Sequence, residues 1–95
     1  MYSGIYQISG PGKVYIGQSG HVEKRLKTHF KDLRKNRHPC KHLQNAYNKH
    51  GESKFVGLRI ESCAIEHLTN RENFYMVLHR GALYNSKPYK SRAEC

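Results

Sequence analysis

Two tyrosines near the start of the chain each lie in a short motif with a glycine, Tyr6 in Gly-Ile-Tyr and Tyr15 in Tyr-Ile-Gly. Further along, Arg25 and His29 have the i, i+4 spacing that projects two side chains from one side of a helix. A carboxylate follows at Glu72. These groups suit phosphodiester chemistry, because arginine can neutralise phosphate charge, a carboxylate can hold a divalent cation, and a phenol or imidazole can move a proton.

Three of these residues also have a plain structural explanation when each is taken alone. Arg25 suits the border of an apolar helix face, where its stem packs and its charge reaches water or a salt bridge. His29 suits a hydrogen-bonded position in a core. Glu72 follows Thr69 at the spacing of a capping box, in which the carboxylate bonds a backbone amide at the start of the helix. Only the set of residues as a whole favours chemistry.

The element that must carry both tyrosines is predicted to be a β-hairpin. Residues 3–9 and 13–19 mix β-branched, aromatic and small residues, and the Gly-Pro-Gly segment at 10–12 is typical of a turn. Gly4 and Gly17 then lie inside strands, where the missing side chain lets a ligand or another backbone approach closely. Strand ends or bulges would explain the two glycines equally well.

The next element, from Gly20 onward, is predicted to be an amphipathic helix that carries the basic pair. His29 falls near the middle of its apolar stripe and Arg25 at the edge, so both face inward and require an anion or an open cleft. The stripe consists of Val22, Leu26, Phe30 and Leu33. The opposite face is expected to be solvated and to attract a polyanion such as nucleic acid without sequence preference. That face consists of Lys24, Lys27, Lys31 and Lys35.

The rest of the chain is predicted to add two helices and one strand. Pro39 suits the first turn of a second helix that ends at Gly51. Apolar residues alternate along residues 54–62, which favours a third strand. A third helix is expected from Thr69 to a stop at Gly81, with Glu72 at the edge of its apolar stripe. The members of that stripe are Leu68, Tyr75 and Leu78.

Composition limits the function classes. The chain has 95 residues, and its 17 Lys and Arg against 7 Asp and Glu give a formal charge of +10, which suits nucleic acid or an anionic membrane. No apolar run approaches the ~20 residues of a membrane span, and no signal peptide is visible. Cys40, Cys63 and Cys95 are interpreted as free thiols. We therefore expect a soluble intracellular protein that is neither secreted nor membrane-bound.

The ordered motifs resemble those of the GIY-YIG nucleases, in particular the N-terminal catalytic domain of phage intron-encoded homing endonucleases. The segments that carry the resemblance are SGIYQI, KVYIG, EKRLKTHFKDLRK, LQNAYNKHG and RENFYM. The resemblance runs through nearly the whole chain and implies a DNA endonuclease. It also implies an α/β fold of the α+β kind, in which helices flank a small three-stranded antiparallel sheet.

The resemblance implies a role for each matching residue. Tyr6 matches the general base, and Tyr15 with His29 shapes the hydrogen bonds and the proton path. Arg25 matches the arginine that stabilises phosphate charge. Because a free tyrosine has a pKa of ~10, Tyr6 could act at neutral pH only if Arg25 and the metal lower that value.

Further residues match positions that complete the family's site. Glu72 matches the single metal-binding carboxylate, for Mg²⁺ or another divalent cation such as Mn²⁺. His38 matches a further histidine used in the homing-endonuclease branch, and Asn85 matches an asparagine that closes the site. Gly4 and Gly17 match the motif glycines. Gly17 is expected to let the tyrosines and the DNA backbone come close.

The resemblance also predicts domain organisation and partners. Residues 1–86 would form the catalytic domain, and residues 87–95 a basic, loosely ordered tail or the start of a linker. Double-stranded DNA is the expected partner. Homing endonucleases of this kind continue into a linker and a sequence-reading DNA-binding region, so we expect either a fragment of such an enzyme or a stand-alone nuclease of modest specificity.

Two other readings of the sequence stay open at this point. A non-catalytic nucleic-acid-binding module would also use the positive charge for phosphates and the tyrosines for stacking on bases. A structural zinc site is the second alternative, although its ligand spacing fits no common zinc finger. Its ligands would be Cys40, His42, Cys63 and His67.

Overall fold

The computed structural model describes residues 3–85 and contains a three-stranded antiparallel sheet. Strand β1 spans Gly4–Gly10, β2 spans Lys13–Ser19 and β3 spans Val56–Ser62, with β1 in the centre of the order β2-β1-β3. The predicted hairpin is confirmed, because β1 and β2 pair along their whole length. Gly12 in its turn has a φ of 76°, a left-handed conformation that glycine adopts without strain.

Three α-helices flank the sheet in the predicted order. Helix α1 spans Val22–Arg34, α2 spans Lys41–His50 and α3 spans Leu68–Leu78. Short 3₁₀ helices at Glu52–Lys54 and Ile65–His67 precede β3 and α3. The expected α+β class is therefore confirmed. Within the described part of the chain, no helix is long and apolar enough to cross a membrane. The tail expected at 87–95 lies outside the described residues.

One face of the sheet, here called the tyrosine face, packs against α1 and α2. Tyr6 lies opposite Gly17 and Ile8 lies opposite Tyr15, so the side chains of these four positions share one face. The core on this side is completed by residues from both helices and from the segments that flank them. These are Val22, Leu33, Cys40, Leu43, Phe55 and Tyr84.

The opposite face, here called the α3 face, carries a second core. Ile5 and Ile16 are fully buried there and pack against Leu68 and Met76 of α3. The small chain thus divides its apolar residues between two thin layers, one on each side of a single sheet. Because of this division, Tyr6 and Tyr15 lie on one face of the sheet, whereas Glu72 of α3 lies on the other and can approach them only at the edge of the sheet.

Gly4 lies where the backbones of β1 and β3 come very close. A Cβ at this position would overlap the backbone carbonyl of Glu61. The β1–β3 register shifts immediately afterwards, between Ile5 and Tyr6. Both explanations that the sequence allows for Gly4 therefore apply, since another backbone approaches it closely and it is also the first residue of β1.

Several expectations for the helices are wrong in detail. Pro39 precedes the N-cap residue of α2 and so lies before the helix rather than in its first turn. Helix α3 ends at Leu78, whose side chain is 63% exposed, whereas Met76 is 4% exposed. Leu68 and Tyr75 of the predicted stripe do pack in the core of the α3 face, so only Leu78 was placed wrongly. It was misplaced because α3 also carries apolar residues on its outer side, where Phe74 and Val77 are exposed.

Candidate active site

Tyr6 and Tyr15 lie on the same face of the hairpin, as the sequence predicts. Both side chains are buried. The ring of Tyr6 extends across edge strand β2 and fills the space above Gly17, where a Cβ would overlap its Cζ and hydroxyl oxygen. Gly17 is therefore required by the position of the Tyr6 ring. The sequence pattern indicated a close approach here, but the approaching group in the structure is this side chain.

His29 lies directly beneath the two tyrosines. Its Nε2 is 2.6 Å from the Tyr6 hydroxyl oxygen, and its ring meets Tyr15 edge-on with centroids 5.4 Å apart. The side chain is 2% exposed, as its place in the apolar stripe of α1 predicts. Both interpretations of His29 are therefore compatible with the structure, since it is a buried, hydrogen-bonded core histidine and also contacts both tyrosines.

His38, between α1 and α2, extends this contact further into the protein. Its Nε2 lies 2.6 Å from Nδ1 of His29, and the two rings stack with centroids 4.9 Å apart. The backbone amide of Cys40 donates to Nδ1 of His38 over 3.0 Å. The side-chain oxygen of Gln44 accepts from the backbone amide of His38 and holds this segment in place. The structure thus forms a buried chain of four groups that ends at Tyr6.

Arg25 approaches Tyr6 from the solvent side. It lies one turn before His29 on α1, and its side chain is exposed rather than inward-facing, which corrects the expectation from the helical projection. Its positive charge and a hydrogen bond both act to lower the pKa of Tyr6. An exposed guanidinium at this position needs no buried counter-ion, since water solvates it. Arg25 therefore meets solvent, and the requirement for a buried anion beside it does not arise.

Burial dominates the ionisation of the phenol and the imidazole. It raises the pKa of Tyr6 to about 12, although the charge of Arg25 acts in the opposite direction. The expected lowering of this pKa by Arg25 is therefore outweighed, and Tyr6 carries its proton at neutral pH. Burial, the charge of Arg25 and the neighbouring His38 together lower the pKa of His29 to about 3, so His29 is neutral.

Glu72 reaches the site from the other side of the sheet. It is buried in α3, and its Oε1 accepts a hydrogen bond of 2.8 Å from Nε2 of Gln18 in β2. Since Gln18 directly follows Gly17, the carboxylate is held at the strand that Tyr6 crosses. The charge of Glu72 acts to raise the pKa of Tyr6, which shows that the two groups interact electrostatically.

The capping-box explanation for Glu72 is wrong. Helix α3 begins at Leu68, so Thr69 is already helical, and the N-cap residue His67 makes no side-chain capping bond. The partner of Glu72, Gln18, was missed by the sequence analysis. The one available signal was its position, because a residue next to Gly17 in a strand must project to the face opposite the tyrosines.

Asn85 fixes the backbone beneath the site. Its Oδ1 accepts from the amide of Ile16 over 3.0 Å, and its Nδ2 donates to the carbonyl of the same residue over 2.9 Å. Ile16 lies between Tyr15 and Gly17, so the asparagine sets the position of the strand that carries both. The structure thus places Asn85 at the site as a backbone support.

The side chains present fit a lightly ligated divalent cation better than a zinc cage. Among residues 3–85, no group of three or more His, Cys, Asp or Glu side chains could hold a metal ion. The proposed zinc ligands are apart, since Cys40 belongs to the core of the tyrosine face and Cys63 to that of the α3 face. The single carboxylate of Glu72 suits Mg²⁺, which keeps several waters and takes phosphate oxygens as ligands.

The basic face of α1 is exposed, as predicted. The four lysines are all exposed to solvent. They are Lys24, Lys27, Lys31 and Lys35. The structure therefore separates a solvated cationic surface from the buried tyrosine and histidine groups.

The three-stranded sheet and the site built across its edge define a small α+β nuclease domain. Residues 2–85 match the model of the GIY-YIG catalytic domain, and the chain belongs to this family. It is 44% identical over 80 residues to intron-associated endonuclease 1 of Enterobacteria phage T4, an alignment that covers 80% of this chain and 32% of the relative. The chain thus spans about a third of the length of this curated relative.

Two solved structures show the same fold. The catalytic domain of homing endonuclease I-TevI matches with a TM-score of 0.81 and 37% identity over 90% of this chain and 98% of that domain. A mutant of the catalytic domain of intron endonuclease I-TevI matches with a TM-score of 0.83 and 37% identity, covering 93% of this chain and 96% of the other.

Proposed function

We propose that this chain hydrolyses DNA phosphodiester bonds with the help of one divalent cation held at Glu72. One observation carries the proposal. The hydroxyl of Tyr6 is held by His29 and lies within electrostatic reach of both Arg25 and Glu72, although these side chains come from three different elements. A fold has little structural reason to gather a phenol, an exposed cation and a buried carboxylate at one edge strand, whereas phosphoryl chemistry requires all three.

Each side chain has a role in this proposal. Arg25 binds a phosphate oxygen and stabilises the charge that develops on it. Tyr6 takes the proton of the attacking water, and Tyr15 packs against His29 so that the imidazole keeps its place. Glu72 would hold a Mg²⁺ or Mn²⁺ ion, which would supply positive charge for the phosphate and the leaving oxygen. Gln18 orients the carboxylate of Glu72 toward the edge strand.

The high pKa of Tyr6 sets a condition on this chemistry. In the protein alone, burial keeps the phenol protonated, so the phenolate forms only when further positive charge enters the site. A cation at Glu72 would also neutralise the carboxylate that now acts to raise the pKa of Tyr6. We therefore propose that activation of the base is coupled to formation of the complete complex.

Double-stranded DNA is the proposed substrate. The formal charge of +10 and the exposed lysine face of α1 favour a polyanion, and the T4 relative is by its name an endonuclease associated with an intron. Because the chain spans only a third of that relative, we assign the choice of cleavage sequence to a region other than this domain. We place the activity inside a bacterial or phage-infected cell.

A plasmid assay tests the proposal against the non-catalytic binding module. Supercoiled DNA should be nicked or linearised with Mg²⁺ or Mn²⁺ and left intact with chelator. Glu72→Gln should abolish metal-dependent cleavage while DNA binding is retained, and the matched variant Glu66→Gln, at an exposed carboxylate, should cleave normally. Equal cleavage by the two variants would contradict the assignment of the metal to Glu72.

A second variant tests the base. Tyr6→Phe should lose ~10²-fold or more in single-turnover cleavage if it removes a general base. Tyr75→Phe is the matched control, because it removes a phenol that donates to Glu61 and not to a group bonded to Tyr6. Near-normal cleavage by Tyr6→Phe would show that another group takes the proton.

A further inference from the structure

The buried chain that ends at Tyr6 begins with a group that can only donate. The backbone amide of Cys40 donates to Nδ1 of His38 over 3.0 Å, and a peptide N–H has no acceptor capacity. Nδ1 of His38 must therefore be unprotonated. If it carried a proton, two donors would face each other at this distance in a buried place, which is costly.

This fixed end determines every hydrogen bond that follows. A neutral His38 without a proton on Nδ1 carries it on Nε2, which then donates to Nδ1 of His29 over 2.6 Å. His29 in turn carries its proton on Nε2 and donates to the hydroxyl oxygen of Tyr6 over 2.6 Å. Both imidazoles are neutral in this scheme, in agreement with burial lowering the pKa of each.

We infer that the Cys40 amide and His38 act as positioning groups that hold His29 in its Nε2–H form, so that Tyr6 accepts a hydrogen bond from His29 and turns its own O–H away. The inference rests on the proposed function, in which Tyr6 is the base. It has two consequences for that role. His29 cannot take the proton of Tyr6, and a Tyr6 phenolate keeps a donor within 2.6 Å.

The direction of the chain also decides where the proton of Tyr6 goes. Because the far end is a peptide amide, no proton can travel from Tyr6 through the two histidines without placing a second donor against Cys40. The proton therefore passes to solvent water on the side of Arg25, whose guanidinium has no acceptor capacity of its own. The two histidines stabilise the charge on Tyr6 and conduct no proton.

NMR of the protein labelled with ¹⁵N-histidine tests this inference directly. Long-range ¹H–¹⁵N correlations identify which ring nitrogen bears the proton. We expect both His29 and His38 to show a protonated Nε2 and an unprotonated Nδ1 near neutral pH. A protonated Nδ1 on His29 would overturn the inference.

A pair of substitutions at Cys40 tests the cause. Cys40→Pro removes the amide hydrogen, and the φ of −85° at this position is close to that of proline. Cys40→Ala keeps the amide and removes the thiol. We expect the proline variant to lose the single tautomer and show both forms of His29, and the alanine variant to keep the Nε2–H form. Identical spectra for the two variants would overturn the role of the amide.

A second pair at His38 covers the case in which the proline variant fails to fold. His38→Gln can still donate to His29, whereas His38→Leu cannot. We expect the leucine variant to lose the fixed tautomer of His29 and at least ~10-fold of single-turnover rate at unchanged DNA affinity, and the glutamine variant to restore both. Failure of the glutamine variant to restore the tautomer would overturn the inference.

The outcomes separate this inference from the proposed function. An Nε2–H His29 together with normal cleavage by Tyr6→Phe would refute Tyr6 as the base and leave the direction of the hydrogen bonds established. An Nδ1–H His29 together with an inactive Tyr6→Phe would refute the inference and leave the base assignment supported.

Discussion

The buried His29 should make this domain lose stability as the pH falls below about 6.5, before the carboxylates are protonated. Its pKa falls from the ordinary 6.5 to about 3 on folding, so below pH 6.5 the unfolded chain binds a proton that the folded chain does not. Each pH unit in that window costs about 1.4 kcal/mol of unfolding free energy. Lowering the pH from 7.5 to 5 should therefore cost ~2 kcal/mol through His29 alone.

The lowered pKa of His38 adds to this loss with the same sign. The lowered pKa values of Glu52 and Glu61 act mainly at lower pH, since both glutamates are largely ionised in either state at pH 5.

Urea denaturation followed by circular dichroism at pH 7.5, 6 and 5 measures this effect. The wild-type protein should lose at least ~2 kcal/mol across the series, which is a large part of the stability of a small domain. His29→Gln should show a shallower dependence on pH, whatever its stability at pH 7.5, because it has no imidazole to protonate on unfolding. His50→Gln is the matched control at an exposed histidine and should follow the wild type. A His29→Gln curve parallel to the wild-type curve would refute the reasoning.

Three further outcomes are expected. Gly17→Ala should displace the Tyr6 ring, lower the unfolding free energy by ~1–3 kcal/mol and reduce single-turnover cleavage by more than ~10-fold. Gly20→Ala, with open space around it, should change neither the stability nor the cleavage rate. Asn85→Ala should lower the unfolding free energy by ~1–3 kcal/mol in urea denaturation, because it removes both hydrogen bonds to the backbone of Ile16; an unchanged midpoint would contradict the support role. Neutralising the lysine face of α1 should lower the salt dependence of DNA binding by up to ~0.9 in the log–log slope per lysine and leave cleavage at saturating DNA unchanged; a collapse of cleavage would place this face in the active site.

Local patterns predicted the parts of the site that lie on a single element. The hairpin places Tyr6 and Tyr15 on one face because a strand alternates its side chains, and the helical repeat places His29 in the apolar stripe of α1. Both predictions depend on neighbours in sequence. Arg25 lay at the edge of that stripe, where a projection cannot distinguish a buried from an exposed side chain, and the structure exposes it.

The remaining parts depend on contacts between distant residues or on backbone atoms. Gln18 holds Glu72 across 54 positions of the chain, and nothing local in either segment indicates the pairing. The amide of Cys40 could not be identified as a site group, since every residue type except proline carries one. The burial of Tyr6, which raises the pKa of its phenol in the protein alone, was also not predictable from the local pattern.

The segment at 82–85 has a consequence for the behaviour of this protein at high concentration. Strand β2 is an edge strand, and open edges invite pairing with a second molecule and hence aggregation. Here Val14 donates to the carbonyl of Ala82 and accepts from the amide of Tyr84, while Ile16 exchanges both bonds with the amide group of Asn85. The asparagine side chain imitates one further peptide unit. The strand that carries the tyrosine motif is thereby closed to edge-to-edge pairing at these two residues, so the chain shields its active-site strand from self-association with a segment of its own.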